Sequence, residues 1–132
     1  MQDRPTVLEL LGVVQKFISD ELVPVLEGRR RYHALVAANV LAIVARELAS
    51  EAIDLTSELR GLEHVLGDSP SLVPQNQDGL RSAVRALNER LVERIRNGDA
   101  DAGEFASRVR AHVRDVVDAK LRVANPGYLA AD

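Results

Sequence analysis

Between Leu35 and Ala45 the chain reads LVAANVLAIVA, with Asn39 its only polar side chain. A segment apolar on nearly every side is too short to span a bilayer, which takes about 20 residues. It therefore predicts a buried core helix that other elements pack against, its alanines permitting close approach. The flanking sequence repeats its apolar residues at helical spacing and shows no period-two alternation of the kind a strand requires. The expected class is all-α, a single domain over residues 1–132, built as an orthogonal or up-down bundle of about five helices around that central apolar rod.

Start and stop signals divide the chain at about 6–26, 29–49, 51–66, 79–97 and 101–124. Thr6 followed by Glu9 suits a capping box. Val7, Leu10, Leu11, Val14, Phe17, Ile18, Leu22 and Val25 form the first apolar face, and Pro24 should loosen the helix over about residues 20 to 24 before Gly28 ends it. Between Ala49 and Glu51 stands neither Gly nor Pro, and Leu55, Leu59, Leu62 and Leu66 stay in phase with Val44 and Leu48. The second and third segments therefore read either as two helices or as one bent helix. Residues 67 to 79, with Pro70 and Pro74, read as a long mobile connection. The fourth segment shows a narrow stripe of Leu80, Val84, Leu87, Leu91 and Ile95, which places it on the outside, and Asn97-Gly98 stops it. Asp101 and Glu104 suit a second cap pair, ahead of a stripe of Phe105, Val109, Val113, Val116 and Val117 that Asn125-Pro126 ends.

Apolar residues make up 46% of the chain, charged residues 28% and aromatics 3%, so the core is aliphatic and the chain should fold unaided. A net charge of -3 gives no general attraction for phosphate backbones or anionic membranes, and nucleic acid and membrane are not expected partners. The arginines of the fourth segment, Arg81, Arg85, Arg90, Arg94 and Arg96, alternate with Glu89 and Glu93 as if in surface salt links. No cysteine is present to make a disulfide, a thiolate nucleophile or a metal ligand, and the N-terminus lacks a basic stretch leading into an apolar run; a cytoplasmic location is expected.

The histidines, His33, His64 and His112, lack the HExxH spacing that would bring two metal ligands onto one helical face. His112 shares a stripe with Phe105 and Val109 and reads as a core residue, His64 as solvated surface. No nucleophile elbow, glycine-rich phosphate loop or paired carboxylate motif occurs, so no catalytic residue, metal site or cofactor is assigned. Tyr32, Asn39 and Arg46 recur every seven residues and form a polar line along the apolar rod. A buried amide or guanidinium left unpaired costs on the order of 1 to 3 kcal/mol. The line therefore calls for an internal network, with Arg46 meeting a carboxylate, or for a ligand cleft or partner contact. Arg29-Arg30-Arg31 opens the same segment, where positive charge opposes the helix dipole and is answered by an external anion or by Asp20, Glu21 and Glu27. The tail from Asn125 to Leu129 either docks back on the bundle or enters a partner groove.

The pattern HxxVAANxLxIxxRE, carried by His33, Val36, Ala37, Ala38, Asn39, Leu41, Ile43, Arg46 and Glu47, resembles that of a family of uncharacterised short bacterial proteins. So does KLxxxNPxY, carried by Lys120, Leu121, Asn125, Pro126 and Tyr128, together with the opening QDRPT and the LNERLVERIRNGD segment. The resemblance covers most of the chain, and Leu35 stands where many relatives are expected to carry Arg. It implies an all-helical protein of unknown activity, encoded beside aminoglycoside-phosphotransferase-like kinases and acyl-CoA dehydrogenases, and hence a partner of one of those kinds.

Two functions follow as expectations. The first is a non-catalytic accessory or interaction subunit of such an enzyme. The alternative is a small-molecule-binding protein or enzyme with a polar cleft lined by Tyr32, His33, Asn39, Arg46 and Glu47. Asn125 and Tyr128 join them as candidates for ligand or partner contact, and self-association through the outer helices stays open.

Overall fold

The computed structural model describes residues 4–130; Gln2 and Asp3 of the opening QDRPT segment lie outside them. Among the described residues the chain is all-α, with five α-helices and no strand. They are α1 (Val7–Phe17), α2 (Gly28–Leu66), α3 (Gln77–Arg96), α4 (Gly103–Ala124) and the short α5 (Pro126–Leu129). The chain falls into two compact units: residues up to Ser50 with Val123–Asn125, and Glu51–Arg122 with the residues from Pro126 onward.

In the first unit α1 opens on the expected capping box. The Glu9 N–H donates to Thr6 Oγ1 at 3.2 Å, and the Thr6 N–H donates to Glu9 Oε2 at 2.6 Å. The loosening expected before Pro24 is present and takes a definite form. Ile18–Leu22 is a wide π turn, in which the Val23 N–H reaches back to the Ile18 carbonyl, and Val23–Val25 tightens into a 3-10 turn around the proline. A proline cannot donate to the ladder and crowds the carbonyl four residues before it, so the chain shifts register over the preceding turn. Leu26 is extended, and Gly28, at φ +53, enters α2 through a backbone conformation that side chains disfavour.

Helix α2 runs unbroken for 39 residues, so the second and third segments are one helix. The core lies elsewhere than the all-apolar run implied. Leu59, Leu62 and Val65 in its last turns are fully buried, whereas Val36, Val40 and Val44 are 44%, 50% and 40% exposed and Ala38 is the only buried residue of the LVAANVLAIVA run. The fourth segment, expected on the outside, is a core element. Leu80, Val84 and Leu91 of α3 join Leu59, Leu62, Val65 and Val109 in one cluster, edged by Leu55, Leu87 and Phe105. Helix α4 buries Ala106, Val109 and His112, leaving Val113 and Val117 half exposed, so its inward seam lies slightly to one side of the expected stripe. Glu104 turns to Arg108 at 3.3 Å instead of forming a cap pair with Asp101.

Asn76 caps α3, its Oδ1 accepting from the Gly79 N–H at 2.7 Å, and Asn97 with Gly98 at φ +89 closes the helix where expected. The connection between α2 and α3, expected to be loose, is pinned at two points. Asp68 takes a bidentate pair from Arg90 at 2.6 and 3.1 Å, and Ser71 is held by Glu63.

Candidate functional site

The polar line on α2 divides. Tyr32 and Asn39 face solvent, while Arg46 is half buried and donates through Nε to the Val123 carbonyl at 2.7 Å. The partner of Arg46 is thus a backbone oxygen in the last turn of α4, where carbonyls lack helical donors and the dipole is negative, instead of the expected carboxylate. His33 is exposed with its ring tilted against Tyr32 at 5.9 Å, and Glu47 is exposed one turn further along from Ile43. His33, Asn39 and Glu47 reach open surface, so the residues of the VAAN pattern are brought together as a helix surface and not as a closed polar network. Arg46 nevertheless ties that pattern to the second one: Val123 stands two residues before Asn125 of the NPxY run.

The tail residues are open. Asn125 is exposed, and Tyr128, on α5, is 67% exposed and not docked. Of the basic run, Arg31 donates to the Val23 carbonyl at 3.3 Å, and Arg29 and Arg30 face solvent. Three of the five α3 arginines are answered by acids, and these are other than the expected Glu89 and Glu93. Arg81 bonds Glu51 and Asp78, Arg90 bonds Asp68, and Arg94 bonds Asp99 while lying 3.9 Å above the Phe105 ring.

Two buried ionisable groups are structural. His112 is the expected core histidine: its Nδ1 sits where a side chain on Gly61 would begin, 2.5 Å from the position of an added Cβ. Desolvation pushes its pKa below the ordinary 6.5, against the opposing pull of the Glu58 and Asp115 charges. Glu63 was not legible from the sequence, where a carboxylate beside Leu62 reads as surface. It is buried, and its oxygens accept from the Ser71 hydroxyl at 2.5 Å, the Ser71 N–H at 2.8 Å and Arg60 at 2.7 Å. The Ser71 hydroxyl bond is the main cause that holds its pKa below the usual carboxylate value, with burial opposing it. The one available signal was the serine-proline loop a few residues later, whose donors need an acceptor.

Among the described residues no group of three or more His, Asp or Glu side chains gathers as a metal site, and no helix is long and apolar enough to cross a membrane. What stands out is exposed apolar surface. Among the described residues of the first unit only Val23 and Ala38 are buried, while Val7, Leu10, Val13, Val14 and Phe17 line the open side of α1. Val13, Val14, Lys16, Phe17, Asp20 and Glu21 border a shallow open depression there. The inward seam of α1 and the π turn that follows it is Leu11, Gln15, Ile18 and Leu22, so the apolar arc of α1 is wider than its own unit covers.

No curated protein and no solved structure matches the chain. Residues 24–128 match a family model described as a domain of unknown function (DUF6285).

Proposed function

Because the chain belongs to the DUF6285 family, a domain of unknown function, we propose a role from its surface: a non-catalytic accessory subunit, acting in the cytoplasm, that binds an enzyme of the aminoglycoside-phosphotransferase-like or acyl-CoA dehydrogenase kind. The observation that carries the proposal is the open apolar side of α1, where Val7, Val13 and Val14 are half exposed or more. Exposed apolar residues gathered on one helix face in this way are a feature of surfaces that contact another macromolecule. The split of the polar line gives the alternative, a ligand cleft on α2, less support, because Arg46 is engaged by Val123 and Tyr32 and Asn39 stand on open helix surface.

The test is co-expression of the tagged chain with a kinase-like and an acyl-CoA dehydrogenase protein encoded beside it, followed by calorimetry on the purified pair. The expected result is a stable complex weakened at least tenfold by Val14→Asp. Absence of binding by both partners at micromolar concentration overturns the proposal.

A further inference from the structure

On α2 the residues His33, Val36, Val40, Val44 and Glu47 are spaced by three, four, four and three, a series that reads the same from either end. At about 100° per residue all five fall within an arc of about 80°. The three valines are 40% to 50% exposed, and His33 and Glu47 are exposed as well; among the described residues neither of the two makes a hydrogen bond or ion pair.

We propose that this face pairs with the same face of a second copy of the chain, the two α2 helices antiparallel and Val40 on the two-fold axis. A two-fold interface presents one patch to itself, so every residue must be suited to its mirror position along the helix. About Val40 the series meets that condition. Val40 lies against Val40, Val36 against Val44 and His33 against Glu47, so that apolar meets apolar and the imidazole N–H donates to a carboxylate at both ends. A parallel pairing would instead set Glu47 against Glu47. Tyr32, Ala37 and Leu48, all exposed, border the face and widen the contact. The occupant is thus specified by the chemistry of the face: only an antiparallel copy supplies both the central valines and the acid-histidine ends in register.

The pairing concerns a different helix face from the open side of α1 and holds whether or not another protein binds there. The test uses the full chain, which contains no cysteine, so single cysteines report without background. Light scattering across a concentration series is expected to move from the 14.4 kDa monomer toward twice that mass. Val40→Glu, which places two carboxylates on the axis, should leave the helical circular dichroism intact and abolish the shift. His33→Glu should weaken association at least tenfold, and adding Glu47→His should restore it. Under copper-phenanthroline oxidation, Val40→Cys should cross-link to itself, and Val36→Cys should cross-link to Val44→Cys in a mixture faster than either does alone. A chain that stays monomeric at hundreds of micromolar overturns the proposal, as does a dimer indifferent to Val40→Glu or a cross-linking pattern in which Val36→Cys prefers itself. Should Val40→Glu fail to fold, the His33 and Glu47 exchange and the cysteine mixture decide the matter.

Discussion

At Gly61 a hydrogen where other residues carry a carbon makes room for the His112 ring. Glycine within a helix ordinarily costs about 1 kcal/mol relative to alanine. Gly61→Ala should nonetheless lower stability, by about 1–2 kcal/mol in denaturant titration, since overpacking a core costs about 1–3 kcal/mol. In a His112→Ala background the same change should become stabilising. The His112 ring also makes stability depend on pH. Its folded pKa lies below 6.5, so the neutral form is favoured by folding; the contribution is complete above 6.5 and is lost as pH falls through the depressed value. Melting temperature should therefore decline on acidification below 6.5, and His112→Gln should flatten that limb; an unchanged slope would contradict the buried placement. Ser50, whose buried hydroxyl finds no partner, offers a site where removal of a polar atom should be neutral or stabilising. His112 was legible as core because its stripe neighbours are apolar. Glu63 was not, because its partner Ser71 comes from a loop whose path no local pattern encodes.

Among the elements, one of the two ties that pin the connection between α2 and α3 is a buried carboxylate, Glu63, which holds Ser71. Glu63→Gln keeps the shape but removes the charge that accepts from Ser71 and Arg60, and should cost about 1–3 kcal/mol. The Glu63 pKa is depressed, so its stabilisation is present above 4.5 and disappears as pH drops through the lowered value. Acid unfolding of Glu63→Gln should accordingly be less steep below pH 4.5 than that of the parent chain. Helix ends are legible in the sequence where a local rule applies: Thr6 with Glu9, the loosened turn before Pro24, Asn97 with Gly98. The continuity of α2 is not legible in the sequence, since absence of a breaker permits one helix without requiring it. The partner of Arg46 is not legible either, because a carbonyl freed at a distant helix end leaves no side-chain signature.

For the molecule as a whole, burial is unevenly spread along the chain. The fully covered residues Leu59, Leu62 and Val65 sit among α3 and α4, whereas α1 contains no buried residue. Amide hydrogen exchange should follow that gradient, slowest around Leu59–Val65 and fastest in α1, and the reverse order would contradict the packing. Leu62→Ala should cost about 2–5 kcal/mol, in contrast to a near-neutral Val40→Ala at concentrations where the chain is monomeric. Fold class was evident from periodicity alone, but the position of the core was not. A segment apolar on all sides says that something must cover it without saying whether the cover comes from its own chain.

The π turn at Ile18–Leu22 holds one residue more than an α-helical path over the same rise would need. Deleting a single residue there would let the backbone rewind as ordinary helix and rotate α1 by about 100°. Leu11 and Ile18 would leave the seam, and part of the outward valine surface would turn inward. A change of length by one thus acts on this chain like a rotary setting, able to exchange which side of its first helix meets water while the composition stays almost the same.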